Sequence, residues 1–376
     1  MSPRPPVVVL LGGPSAEHDV SIVSGSAVAS ALAQAGHAVS RILIDLDGRW
    51  WRLPGAVSAG SSAAALVPAD FDDPAALGGA GPLTSGAVLE RLADEQPRPV
   101  VFIALHGPFG EDGTVQALLE AADLPYTGSG VAASAVGMDK ALFKRLVRGL
   151  GLPVVDWREI SAGRWLADPA GVLAELEAFA SGTGDPRLIV KPARLGSSVG
   201  MTLAHDPSER AGALAAAFEH DTLALAERYV AQARELEVGV IGNDPARLEL
   251  YGPGEVLSGH EFYDYAAKYT AGLSETSPSA ELEPHQRATI LKIARDAYRA
   301  VGAEGFARLD FLLDGGTVYL SEINTIPGFT PISLFPAMAA AGGYDFAAVA
   351  ARIVDLGRER WTGRVRRRLV PGDLPR

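Results

Sequence analysis

The 376-residue sequence has no cysteine, which removes disulfides, thiolate nucleophiles and thiolate-ligated zinc or iron–sulfur centres from consideration. That absence fits a reducing compartment, and we expect a cytoplasmic protein. No stretch approaches the roughly 18 apolar residues of a membrane-spanning helix, so no membrane partner is expected. The first apolar run, Val7 to Leu11, is too short for the core of a signal peptide. Positive charge is also in short supply. Against 45 Asp and Glu stand 33 Lys and Arg, a net charge of -12, which disfavours broad contact with a nucleic-acid backbone. An anionic ligand must therefore find a local basic pocket. The seven histidines are scattered without a helical His-x3-His spacing, so a metal here is expected on oxygen ligands. Lysine is scarcest among the basic residues, supplying five of the 33. What remains is ordinary: 48% hydrophobic and 21% charged residues describe a folded chain, and its length suggests two or three domains.

Strand and helix patterns alternate over the first third. Val7 to Leu11, Val39 to Ile44 and Val100 to Leu105 read as strands, with helices at 18–35, 85–95 and 113–122, which predicts a mostly parallel sheet. Residues 54–86 are rich in Ala, Gly, Ser and Pro and read as an irregular surface excursion. A single long helix is expected at 130–149, a strand ending at Asp156, a helix near 170–180, and strands at 187–191 and 199–204. Strands at 223–229, 235–241 and 247–257 follow, then a polar loop at 258–278, a helix at 284–301, a hairpin at 306–324 and terminal helices. The Arg-rich end of the chain reads as solvated charge.

Where a chain so favours arginine, a surviving lysine suggests a need for a compact ammonium, as at a phosphate. Lys140, Lys191 and Lys268 are the candidates. Lys191 ends a strand and precedes Gly196-Ser197-Ser198-Val-Gly200, small residues whose amides can approach a phosphate. Because the lysine comes before the glycines, this is not a P-loop. In the 306–324 hairpin, Arg308 shares a face with Asp310, and Glu322 with Asn324, each pair interrupting apolar alternation. Two carboxylates and an amide carbonyl are hard oxygen ligands suited to magnesium with nucleotide phosphates. All four share one face only if the turn at Asp314-Gly315-Gly316 has an odd count or a bulge intervenes.

After Asn324, Gly328 can aim an amide at a developing oxyanion and Ser333 can begin a helix suited to a carboxylate. Glu17, just after the first strand, is placed to hold an ammonium, and His106 follows the third apolar run with the same crevice logic. Gly128-Ser-Gly130-Val-Ala-Ala133 mimics a dinucleotide fingerprint, but the preceding Leu124-Pro-Tyr-Thr is a poor strand.

Taken together, Gly12-Gly13-Pro-Ser-Ala-Glu17, His106 to Gly113, Met138-Asp-Lys140, Val190-Lys191-Pro, Gly196 to Gly200, Phe262 to Tyr269, Arg308-Leu-Asp310 and Glu322-Ile-Asn324-Thr-Ile-Pro-Gly328 resemble the D-alanine:D-alanine ligases of the ATP-grasp superfamily. The resemblance implies an α/β and α+β architecture. An N-terminal open parallel-sheet domain (1–129) would precede two ATP-grasp domains (130–230 and 231–376) that clasp nucleotide between antiparallel sheets. It implies ATP-dependent formation of D-alanyl-D-alanine through a D-alanyl phosphate, with two magnesium ions, manganese as a substitute, and a homodimer. Carried onto this chain, Lys140, Lys191, Ser198 and Lys268 would meet ATP phosphates, and Glu227 and Glu235 adenine and ribose, with neighbouring Arg234 and Glu237 leaving the register at Glu235 open by a residue or two. Asp310, Glu322 and Asn324 would bind metal. Glu17 with Ser197 and Tyr269 would orient the first D-alanine, for which His106 is a further substrate contact. Arg308 and the Gly328 amide would hold the oxyanion, and Ser333 and Leu334 the second carboxylate. Some members carry a carboxylate where this chain has Leu195, so lid closure is expected to rest on backbone amides. Tyr269 in its loop resembles the dipeptide-forming rather than the lactate-using type.

Overall fold

A computed structural model describes residues 4–55, 57, 67–258 and 274–365. Its strands form three sheets. The first has the order β4-β3-β2-β1-β5 and comprises β1 (Val7–Gly12), β2 (Val39–Ile44), β3 (Trp50–Arg52), β4 (Ala80–Leu83) and β5 (Val100–Ile103). β1 lies parallel between β2 and β5, and all six of its residues are buried, as a run without alternation requires. The other two strands depart from the parallel expectation: β3 and β4 add antiparallel. β4 and a short 3-10 turn at Pro68–Phe71 lie inside the stretch expected to be irregular. Four residues of low β-propensity, Ala-Gly-Pro-Leu, gave no periodic signal, and an edge position tolerates the proline.

Helices α1 (His18–Gln34), α2 (Ser85–Asp94) and α3 (Thr114–Ala121) accompany this sheet. The expected long helix at 130–149 is instead two, α4 (Val131–Met138) and α5 (Lys140–Gly149). Asp139 breaks it by adopting an extended conformation and accepting from the Leu142 amide at 2.9 Å, an N-cap that costs about 1 kcal/mol to lose. The break makes Lys140 the first residue of α5.

The second sheet, β6-β9-β7-β8, comprises β6 (Trp157–Ser161), β7 (Leu188–Pro192), β8 (Thr202–Ala204) and β9 (Leu223–Arg228). α6 (Ala162–Ala167), α7 (Pro169–Thr183) and α8 (Arg210–Phe218) belong with it. Asp156 precedes β6, which opens at Trp157, rather than ending a strand. The third sheet, β12-β11-β10-β13-β14, comprises β10 (Arg234–Ile241), β11 (Glu249–Ser258), β12 (Ser274–Ser277), β13 (Phe306–Asp314) and β14 (Thr317–Asn324). It packs on α9 (Pro284–Val301), with α10 (Leu334–Ala341) over β10 and β11.

The last helix, α11 (Phe346–Val365), returns to the first sheet: Val349, Ile353 and Val354 share a fully buried core with Val9, Leu10 and Val28. Each such side chain contributes roughly 1.5–3 kcal/mol through burial. Phe102, Phe306, Phe329 and Phe335 form an aromatic knot with ring centroids 5.7 to 6.4 Å apart. It joins β5, β13, the loop after β14 and α10, and so fixes the Pro327–Ser333 loop between the first and third sheets. Among the described residues no single helix is long and apolar enough to cross a membrane.

Candidate functional site

The parity condition on the hairpin is met by a bulge. Asp314 opposes Thr317 across the two-residue Gly315-Gly316 turn, which alone would split the polar residues between faces. Between Asp310 and Phe311 the register shifts by one, leaving Ser321 as the extra residue, so Asp310 opposes Glu322 and Arg308 opposes Asn324. Arg308 donates to both oxygens of Asp310, at 2.7 and 2.6 Å, a bidentate fork. On the neighbouring strand Glu237 opposes Asp310 and lies 3.3 Å from the Arg308 guanidinium. Burial works against the Arg308 charge, but Asp310 and Glu237 raise its pKa well above the usual range. Glu235 lies on the same face of β10, while Arg234 turns away to pair with Glu255 at 2.7 Å. Glu237, a register alternative to Glu235 for the ribose and two residues along the strand from it, was not expected beside Arg308.

The facing wall comes from α5 and the second sheet. Lys191 lies 3.0 Å and Lys144 3.2 Å from the same oxygen of Glu227, and Lys144 has no exposed surface. Lys144 also sits 5.5 Å from the Trp157 ring centroid. Burial would raise the Glu227 pKa, yet the two ammoniums hold it below the ordinary value. Sequence reasoning missed Lys144, although it is one helical turn from Lys140 and one of only five lysines. Lys140 lies 3.3 Å from Glu322 and so spans the gap between the walls. Burial lowers its pKa, but Glu322 more than compensates and holds the ammonium charged. Lys140 also donates to the Leu195 carbonyl at 2.8 Å, so the lid has a side-chain tether that its amides alone do not supply.

Ser197 and Ser198 in that lid both have left-handed backbones, with φ of 51° and 56°, a conformation that costs a non-glycine residue about 1 kcal/mol. The turn brings the Ser197 hydroxyl onto Glu17, to which it donates. Glu17 is buried immediately before α1. A Cβ at Gly107 would lie 2.6 Å, and at Gly196 2.8 Å, from its carboxylate, so both glycines are required for close approach.

His106 is buried, its Nδ1 donating to the Ile326 carbonyl at 3.1 Å while Nε2 and the Ser24 hydroxyl share a hydrogen bond at 3.0 Å. It thereby ties the first sheet to the loop carrying Gly328. Glu111, 3.6 Å from the ring, was not foreseen; burial pushes its pKa to about 7 despite His106. Ser333 is the residue before α10, as expected, but its hydroxyl bonds Thr330 at 2.8 Å rather than capping the helix. Gly328 lies against it, a Cβ there falling 3.4 Å from the Ser333 hydroxyl, and Leu334 opens the helix. The dinucleotide-like Gly128-Ser-Gly130 is not preceded by a buried strand; Tyr126 makes only an isolated bridge to Val101. Lys268 and Tyr269 lie outside the described residues.

The donor set suits a divalent metal. Asn324 Oδ1 is buried without a hydrogen-bond partner among the described residues, beside the opposed carboxylates of Asp310 and Glu322. Asp310 uses two of its roughly four acceptor positions on Arg308, leaving others for a cation. Two carboxylates and an amide are enough for magnesium, which keeps water and phosphate in its shell.

A family model described as D-ala D-ala ligase N-terminus matches residues 6–129, and one described as D-ala D-ala ligase C-terminus matches residues 146–355. The chain is 40% identical to a D-alanine–D-alanine ligase of Kineococcus radiotolerans, covering 96% of this chain and 98% of that one. It is 38% identical to that of Heliobacterium modesticaldum, covering 98% of each. Among solved structures, the D-alanine-D-alanine ligase from Coxiella burnetii superposes with a TM-score of 0.80 at 31% identity, over 97% of both chains. The VanG D-Ala:D-Ser ligase from Enterococcus faecalis gives 0.77 at 28%, over 94% of this chain and 99% of that one. With both halves of the family matched in order and the opposed walls in place, this chain belongs to the D-alanine:D-alanine ligase family.

Proposed function

We propose that the site carries out the ATP-dependent joining of two D-alanines for peptidoglycan synthesis that belongs to this family, with the side chains in the following roles. Glu17, oriented by Ser197 and Tyr269, accepts from the ammonium of the first D-alanine, and His106 fixes the loop around it. The D-alanine carboxylate attacks the γ-phosphorus of ATP; a P–O bond forms and the bond to the bridging oxygen breaks, releasing ADP. Lys140, Lys191 and Lys268, with the Ser198 amide, take up the phosphate charge, while Glu227 and Glu235 hold adenine and ribose. Asp310, Glu322 and Asn324 would hold two magnesium ions, or manganese in their place, which supply charge neutralisation at the transferring phosphoryl group. Ser333 and the Leu334 amide hold the carboxylate of the second D-alanine. Its free amine attacks the acyl carbon of D-alanyl phosphate, the nitrogen loses a proton, and Arg308 with the Gly328 amide stabilises the oxyanion. The C–O bond to phosphate then breaks, leaving the dipeptide and inorganic phosphate.

The observation that carries this reading is the Lys140–Glu322 pair at 3.3 Å, which sets a phosphate-binding wall directly against a metal-binding one. The three sheets support the domain division 1–129, 130–230 and 231–376, although α11 rejoins the first core. The cytoplasm, where ATP is available, and a homodimer complete the proposal; sedimentation of the purified chain tests the latter. The decisive assay follows phosphate release from ATP and magnesium with D-alanine, L-alanine, or D-alanine plus D-lactate or D-serine, with products identified by mass. Dipeptide from D-alanine alone supports the reading, a mixed product reassigns the second substrate, and no turnover with any of them overturns it.

A further inference from the structure

Three ammoniums cluster beside one carboxylate, and they are not equivalent. Lys140 and Lys191 retain 13% and 10% of their side-chain surface, whereas Lys144 retains none. The Lys144 ammonium is enclosed by the Val155 carbonyl at 3.4 Å, the Trp157 ring and Glu227. The ammonium therefore presents no exposed surface among the described residues. Lys191, at the end of β7, can reach a ligand in the cleft, but in this structure it too is engaged with Glu227.

A phosphate that draws the Lys191 ammonium towards the cleft weakens its hold on Glu227, which is 6% exposed. An ionised carboxylate at that depth with no counter-charge is strongly disfavoured and takes up a proton instead. We propose that Lys144 is a positioning residue: the resident counter-ion of Glu227 that frees Lys191 to bind the nucleotide's phosphates. This inference rests on the reading of Lys191 as a phosphate ligand and adds a role for a lysine that touches no substrate.

The groups around Glu227 bear this out element by element. From α5 come Lys144 and, at longer range, Lys140; from β7 comes Lys191; β6 contributes the neutral Trp157, its register partner. Arg148, also on α5, stacks 4.1 Å from that ring and pairs with Asp156 at 2.6 Å, so it is committed elsewhere. With Lys144 neutralised, Lys191 becomes the sole short-range ion-pair partner of Glu227 among the described residues. Nucleotide binding must then either forgo Lys191 or protonate Glu227.

The test is steady-state kinetics of the full chain with saturating D-alanine at pH 6.5, 7.5 and 8.5. In Lys144→Met, the KM for ATP is expected to rise at least tenfold at pH 7.5 and to keep rising with pH, by up to tenfold per unit, as binding becomes coupled to proton uptake. The kcat should change much less, and Lys144→Arg should restore most of the affinity. A KM that is unchanged, or raised equally at all three pH values, overturns the proposal. Should Lys144→Met fail to fold, the same change is made in a Glu227→Gln background, where no buried charge needs a partner. There it should leave the KM of the parent Glu227→Gln enzyme within twofold, and a further tenfold rise would contradict the role. Wild-type turnover separates the two readings. No ATP use by the wild type means the functional assignment has failed, whereas normal wild-type kinetics with an indifferent Lys144→Met means that only this inference has.

Discussion

The two walls of the cleft are built from the same kind of element, an antiparallel sheet, yet carry opposite charge. On the third sheet three carboxylates, Glu237, Asp310 and Glu322, surround one guanidinium, Arg308. At the second sheet three ammoniums, Lys140, Lys144 and Lys191, surround one carboxylate, Glu227. Each wall carries a surplus that a ligand can cancel, and each keeps one opposite charge that makes its surplus tolerable when the ligand is away. A chain with a net charge of -12 thereby offers one wall suited to a polyanion and another suited to a cation.

The sharpest way to break this comparison is to remove the single opposite charge. Arg308→Leu leaves Asp310 and Glu237 facing each other across adjacent strands and should cost about 3 kcal/mol of stability, measured by urea unfolding. Added magnesium should recover part of the loss, and an unchanged midpoint would mean that the carboxylates do not repel. Next in size, Lys191→Ala should lower kcat/KM for ATP by about 1.5–3 kcal/mol, roughly ten- to 150-fold, the value of a charge-assisted phosphate contact. Near-normal turnover would place the phosphates elsewhere. Glu322→Gln should raise the magnesium concentration for half-maximal rate about tenfold, or ~1.4 kcal/mol, and an identical titration curve would remove it from the metal site.

Outside the walls, Glu111 links pH to stability. Its folded pKa of about 7 lies above the unfolded value of 4.5, so its protonated form stabilises the fold below 4.5. That contribution is lost as pH rises through 7 and amounts to at most about 3.5 kcal/mol. Glu111→Gln should therefore unfold at higher urea than the wild type at pH 8, with the gap closing by pH 4.5. Smallest of all, Arg234→Ala breaks a partly exposed pair with Glu255 and should cost under about 1 kcal/mol without altering ATP kinetics.

How far these walls could be read from the sequence differed between them. The hairpin was legible because period-two alternation is local, and its polar breaks at Arg308, Asp310, Glu322 and Asn324 stood out against apolar neighbours. The bulge at Ser321 that brings them onto one face was posed as a condition, since a register shift leaves no mark in composition. On the opposite wall Lys191 was legible beside its small-residue loop, but Lys144 was not. Inside an amphipathic helix a lysine ordinarily faces water, and only the distant Glu227 on β9 makes burial possible. Glu111 was hidden differently, because nothing in the local pattern marks the turn that folds it back onto His106. The merged helix at 130–149 shows the complementary failure: the capping Asp139 sits inside an otherwise continuous helical pattern and leaves the periodicity unbroken. Long periodic elements such as α9 were recovered to the residue, while the four-residue β4 was invisible.

The central claim is that the walls divide the nucleotide and its metal between them. Calorimetric titration of ADP, with and without magnesium, into the wild type and an Asp310→Asn, Glu322→Gln double variant tests it directly. The account predicts equal metal-free affinities and a tightening by magnesium that the double variant loses. A double variant that loses metal-free ADP affinity as much as it loses the magnesium effect would contradict it.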